Sequence, residues 1–156
     1  MSFKKSKVLS NDSPASYSSR FIFKKTVLIK NTNIFGNTYF TNYIDWQGEV
    51  RESFFLKQPT ASRYLKKNPD ILLVTHSLHH RFLSNTFLGD VVRIEMTTRD
   101  IFQYSLTIIF HYFNDATSKP IGEGWQKICF MKRNAIGHCK VPPFFLRLAL
   151  SIKEQK

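Results

Sequence analysis

"NTNIFGNTYFTNYIDWQGEVRESFF", residues 31–55, is the stretch on which the fold turns. Its first part is polar and holds Gly36, so it reads as a loop. From residue 39 the period changes. Tyr43, Trp46, Val50 and Phe54 recur at steps of three and four, which on an α-helix makes one apolar stripe. The spacing predicts a helix over residues 39–57, with Thr38 or Asn37 able to cap its first turn. Two features exceed what a purely structural helix needs. Gly48 sits mid-helix, where glycine costs about 1 kcal/mol relative to alanine. Arg51 and Glu52 place a charged pair beside the buried stripe.

The flanking sequence is mostly strand. "RFIFKKTVLIK" (20–30) is rich in Phe, Ile and Val. "KQPTASRYLKKNPD" (57–70), punctuated by Pro59 and Pro69, ends the helix and holds a short helical turn. "ILLVTHSLHHRFL" (71–83) is strand-like, and "DVVRIEMTTRD" (90–100) alternates at period two. "FQYSLTIIFHYFND" and "KPIGEGWQKICFMK" are two further strands joined by the turn at residues 114–120. Gly122 and Gly124 predict a bulge or a close backbone approach. "VPPFFLRLALSIK" (141–153) reads as a short helix with prolines at its start. The order predicts an α+β domain: one long helix wrapped by a curved antiparallel sheet of about five strands.

Composition narrows the function classes. The 156 residues suit one domain, expected over residues 20–150, with residues 1–19 a basic, Ser-rich tail. No apolar run approaches a membrane span, and the tail lacks the apolar region of a secretory signal, so the expectation is a cytoplasmic protein. Cys129 and Cys139 are too few for a disulfide framework. The formal charge is +12, but the Lys and Arg residues are scattered and no nucleic-acid motif appears. An acidic partner suits that charge better than DNA or RNA. The three histidines of "HSLHH" (76–80) have poor zinc geometry on a strand, because His76 and His80 share a face while His79 points away. No metal and no cofactor are expected. There is no Gly-x-Ser-x-Gly elbow and no dinucleotide loop.

Residues 33–52 closely resemble the signature of hotdog-fold acyl thioesterases of the 4-hydroxybenzoyl-CoA thioesterase-like superfamily. The nearest branch is the one that serves enediyne polyketide synthases. The resemblance rests on Asn33, Gly36, Asn37, Tyr39, Asn42, Tyr43, Trp46, Gln47, Gly48, Arg51 and Glu52, and more weakly on residues 89–96, 122–131 and 141–145. It implies a hotdog fold, a homodimer or homotetramer, and an active site at the subunit interface. It further implies hydrolysis of acyl or polyketide (polyene) thioesters on an acyl carrier protein. An acyl-CoA thioesterase and a non-catalytic acyl-binding module are the alternatives. Many hotdog thioesterases carry an Asp at the position of Asn33, or a Glu further along the helix. This chain has an amide there, which can neither take a proton at neutral pH nor act as a carboxylate nucleophile.

Thioester hydrolysis passes through a tetrahedral oxyanion, and a helix start offers unpaired N–H groups to it. The resemblance makes Asn33 and Arg51 the catalytic pair. Asn33 would donate to the carbonyl or orient a water, and Arg51 would hold the developing charge. On the residues alone, Asn33 reads as a loop residue satisfying local backbone groups and Arg51 as an ion-pair partner of Glu52 or another acid. Gly36, Asn37, Thr38, Tyr39, Tyr43, Gln47 and Gly48 are the oxyanion and substrate-binding candidates. Gly48 leaves room for an acyl chain or for close strand packing, and Tyr39, Tyr43 and Trp46 are core or tunnel wall. Glu52 would orient Arg51 or, if buried, act as base.

Overall fold

The structure is a computed structural model and describes residues 20–134 and 137–154. The tail expected at 1–19 lies outside the described residues. Six strands, β1 (Phe21–Thr26), β2 (Ile71–Phe82), β3 (Val91–Arg99), β4 (Ser105–Asn114), β5 (Pro120–Lys132) and β6 (His138–Cys139), form one antiparallel sheet. The order is β1-β3-β4-β5-β2, with β6 extending the ladder of β5 beyond the end of β4. Two register shifts interrupt the pairing, one at Thr75/Ser77 in β2 and one where Tyr112 and Phe113 pair with Gly122 and Pro120. Each leaves one extra residue in a strand, which bends the sheet.

Helical residues are divided among α1 (Thr41–Leu56), α2 (Ala61–Lys67) and α3 (Pro143–Ser151), of 16, 7 and 9 residues. This corrects the expectation of one long helix. It also raises the strand count from about five to six, because the two-residue β6 has no period to read. The apolar stripe of α1 is buried as its spacing predicts: Tyr43, Trp46, Val50 and Phe54 are all in the core, against Ile94, Met96, Phe110, Tyr112 and Ile128 of the sheet. Alternate residues of β3, β4 and β5 supply that face. Phe55 and Phe130 pack on Phe145, which ties α3 over the far end of α1.

Gly122 and Gly124 are the close approach that the sequence predicts. A Cβ on Gly122 would fall 2.8 Å from His80 Nε2, and one on Gly124 would fall 2.6 Å from the His79 carbonyl oxygen and against the Gln47 amide. Only glycine lets α1 and β2 come so near β5. No described helix is long and apolar enough to cross a membrane.

Candidate active site

The loop before α1 is a small hairpin. Asn33 and Asn37 pair through the Asn33 N–H, at 2.9 Å to the Asn37 carbonyl, and Thr32 bridges Thr38. Gly36 takes φ +82° at its tip, a value side chains resist. The Asn33 side-chain oxygen accepts from the Phe35 N–H at 2.9 Å. That turn is the local role expected of a loop Asn, and it also fixes the amide. A pair of carboxamides fastens the hairpin to the helix: Asn31 Nδ2 donates to Asn42 Oδ1 at 2.7 Å, and Asn42 Nδ2 returns a bond to the Asn31 carbonyl at 3.1 Å.

The expected cap is corrected. Phe40 occupies the N-cap position of α1, with no side-chain cap bond. Thr38 is engaged elsewhere. Its hydroxyl lies 2.7 Å from the Thr86 hydroxyl, and the Tyr43 hydroxyl lies 2.8 Å from the same oxygen. The loop after β2 therefore competes with the helix for Thr38 and wins, because three buried hydroxyls satisfy one another. Burial pushes the Tyr43 hydroxyl above its ordinary pKa, partly offset by the bond to Thr86. It stays neutral.

These elements enclose a cleft of about 280 Å³ at the start of α1, lined by Asn33, Asn37, Thr38, Tyr39, Phe40 and Tyr43 and closed by Phe82, Ser84 and Asn85. Five of the expected site residues meet here. The far wall, with Thr86 behind it, went unread. Its only signal was the polar break "SNT" (84–86) after the second expected strand. No carboxylate lines the cleft. Its chemistry is that of amides, hydroxyls and a helix start, all neutral donors suited to a carbonyl becoming an oxyanion.

The other expected residues lie further along α1. Gln47 is fully buried, and its Nε2 donates to the His79 carbonyl at 3.2 Å. It belongs to the helix–sheet seam and not to the cleft. Gly48 has nothing within 4 Å of where a Cβ would be, so close strand packing is not its role. Arg51 sits ~15 Å up the helix axis from Thr41. Its Nη1 donates to Thr75 Oγ1 at 2.9 Å and to the buried Gln126 Oε1 at 3.0 Å, while its Nε is buried with no acceptor. Burial lowers its pKa and Glu52 opposes the shift, but a guanidinium keeps its charge. Glu52 lies 3.6 Å from Arg51 Nη2 with its side chain 68% exposed, the posture of an orienter and not of a buried base.

His80 escaped the sequence reading as a packing residue. Its ring stacks on Tyr43 and touches Phe82 and Tyr112, and neither ring nitrogen has a partner. Burial, with a smaller push from His79, lowers its pKa to about 4.

The sequence profile of the thioesterase-like superfamily matches residues 27–148. No curated protein matches the chain. Among solved structures, the dynemicin thioesterase studied with bound polyene is 24% identical and superposes with a TM-score of 0.79, covering 88% of this chain and 99% of that one. The Staphylococcus aureus protein SAV2348 in complex with CoA is 15% identical, with a TM-score of 0.80 over 92% of both chains. A 4-hydroxybenzoyl CoA thioesterase mutant holding 4-hydroxybenzoyl CoA is 14% identical, with a TM-score of 0.74 over 85% of this chain and 99% of that one. These identities speak for the hotdog fold, and the profile for descent: the chain belongs to the thioesterase-like superfamily.

Proposed function

We propose that the protein hydrolyses long acyl thioesters, polyketide or polyene chains held on an acyl carrier protein, by direct attack of water. The observation that carries this reading is the convergence of Asn33, Asn37, Thr38, Tyr39 and Tyr43 on one carboxylate-free cleft at the uncapped start of α1. With its oxygen engaged by Phe35, Asn33 presents its NH2 group as donor to the thioester carbonyl. Water adds to that carbonyl, the amide and the helix-start N–H groups hold the oxyanion, and the C–S bond then breaks to release acid and thiol. Arg51 is the second residue of the proposal, since one of its N–H groups is buried without an acceptor.

The exposed Phe40 and Phe82 at the cleft rim suit an apolar chain, and the charge of +12 suits an acidic carrier. The protein works as a dimer or tetramer in the cytoplasm, pairing through β2, a 12-residue edge strand whose outer side is unpaired among the described residues. The test is turnover of a panel of acyl-carrier and acyl-CoA thioesters by the wild type, Asn33→Ala and Arg51→Ala. Each variant should stay folded and lose at least about tenfold in rate, the scale of one oxyanion donor. Wild-type rates in both would remove the proposed site.

The lack of a carboxylate in the cleft favours one second reading, an acyl-binding module without turnover. Saturable binding of an acyl thioester that is recovered intact would establish it.

A further inference from the structure

The turn beside the cleft holds residues that turns rarely use. The Gly36 N–H bonds the Asn33 carbonyl at 2.9 Å, so Ile34 and Phe35 are the two central residues of a four-residue turn. Such positions ordinarily hold Gly, Asn, Asp, Ser or Pro. Here they hold the two most exposed large apolar side chains among the described residues, Ile34 at 93% and Phe35 at 86%. Neither contributes to the core.

Backbone bonds join this tip to two others. The Thr38 N–H reaches the Thr86 carbonyl, and Asn37 bridges Phe87. The Val27 N–H reaches the Asp90 carbonyl, and the Gly89 N–H returns to the Val27 carbonyl. Three loop tips thus stand together, and each presents an exposed apolar pair: Leu28 with Ile29, Ile34 with Phe35, Phe87 with Leu88. Each tip also has an N–H held by a side chain of its own loop. The Leu28 N–H donates to Asn31 Oδ1, that of Phe35 to Asn33 Oδ1 and that of Phe87 to Asp90 Oδ2. Main-chain donors tied in this way can leave water at little cost.

We infer that these three tips dock the protein on an anionic lipid surface. Two observations choose lipid over a protein partner. The apolar side chains sit on separate loop tips, not on one face of a helix or sheet, which suits insertion at headgroup level better than a packed interface. The formal charge is +12, and exposed Lys30 follows Ile29, so attraction to anionic headgroups adds to apolar insertion. The contact is peripheral and reversible. It sets Asn33 and Asn37, which bracket the first tip and line the cleft, against the lipid. On the hydrolase reading proposed above, a long-chain acid leaving the cleft passes directly into the bilayer. The docking itself does not depend on that reading.

The test mixes the full-length protein with vesicles of phosphatidylcholine alone, or of phosphatidylcholine and phosphatidylglycerol in equal parts, and separates bound protein by flotation. Wild type should bind the mixed vesicles at least about tenfold more tightly than the neutral ones. Ile34→Ser/Phe35→Ser should bind the mixed vesicles at least about tenfold more weakly than wild type, since two apolar side chains lose their burial in lipid. Both positions are exposed, so this variant should melt with the wild type. Phe35→Trp supplies a reporter at the tip. Brominated lipid should quench its emission beyond any quenching of Trp46 and Trp125 in the wild type.

No wild-type binding, equal binding by the serine variant, or no added quenching in Phe35→Trp would overturn the docking. So would a serine variant that, without lipid, sediments as a smaller species than the wild type or loses turnover of a carrier-bound thioester. A second copy or the carrier, and not lipid, would then cover the tips. Flotation and turnover are scored apart. A wild type that floats and hydrolyses nothing would keep the docking and reject the hydrolase. One that hydrolyses and does not float would do the reverse.

Discussion

The two ends of α1 meet the rest of the molecule in different chemistry. At its start are amides and hydroxyls: Asn31 with Asn42, Thr38 with Thr86 and Tyr43, Asn33 with the Phe35 N–H. No charge enters there, and the helix is left without a side-chain cap. Further along, the helix meets the sheet through long-range polar bonds that leave atoms unsatisfied, Gln47 to the His79 carbonyl and Arg51 to Thr75 and Gln126. The neutral donors at the start suit the carbonyl of the proposed reaction, whose charge would appear only during turnover. The seam is built to hold helix and sheet at a fixed, close distance. The largest expected effect follows from that distance. Gly124→Val would drive a branched side chain into the His79 carbonyl, which is backbone of the paired strand β2, and into the buried Gln47 amide. It should cost about 3 kcal/mol or prevent folding, as overpacking does. Urea denaturation measures it, and a midpoint within error of wild type would show that the seam is loose.

The start of the helix supplies the next effect, on rate and not on stability. Asn33→Asp would place a carboxylate in a cleft that has none. The new charge would compete with the oxyanion for the helix-start N–H groups, so turnover should fall at least about tenfold with the fold intact. Rapid quench and intact mass of the wild type should show free enzyme and free acid only. A faster Asp variant, or an acyl adduct on the wild type, would replace water attack by base or nucleophilic catalysis.

The same contrast explains what could be read in advance. The loop before the helix, the apolar stripe and the long strands are local patterns, and Tyr43, Trp46, Val50 and Phe54 are buried as their spacing requires. Gly122 and Gly124 point in the sequence to a bulge or a close approach, and the structure has both, a register shift beside Gly122 and close neighbours at each glycine. The resemblance groups Gln47 and Arg51 with the loop residues, yet their partners, the His79 carbonyl and Gln126 respectively, come from strands far along the chain, and no local period points to them. Thr38 looked like a cap because its competitor, Thr86, is 48 residues away. Long-range polar pairing is the part of the site that sequence patterns do not carry.

A smaller effect tests the packing where start and seam meet. His80 lies between Tyr43, Phe82 and Tyr112, over Gly122 and Gly124, and its pKa falls to about 4. The unfolded chain protonates such a ring near pH 6.5. Between about pH 6.5 and pH 4 the unfolded state therefore binds more protons, and stability falls as pH is lowered through that window. The melting temperature of wild type should drop between pH 7 and pH 5, and that of His80→Leu should drop less, by about 5 °C. Parallel curves would mean the ring is wetter than its surroundings indicate.

The smallest effect has the opposite sign. Gly48 faces open space, where an added Cβ would meet nothing within 4 Å. Gly48→Ala should therefore stabilise the protein by up to about 1 kcal/mol, through helix propensity alone. If the space is idle, catalysis should not change. If it is the path of the acyl chain, long-chain thioesters should lose kcat/KM while short-chain ones keep it, because only a long chain reaches the middle of the helix. A rise in melting temperature with a chain-length-dependent loss of rate would give Gly48 a function that outweighs its cost. A rise with no loss would move the acyl path away from Gly48 and leave its place in the helix without a part in catalysis.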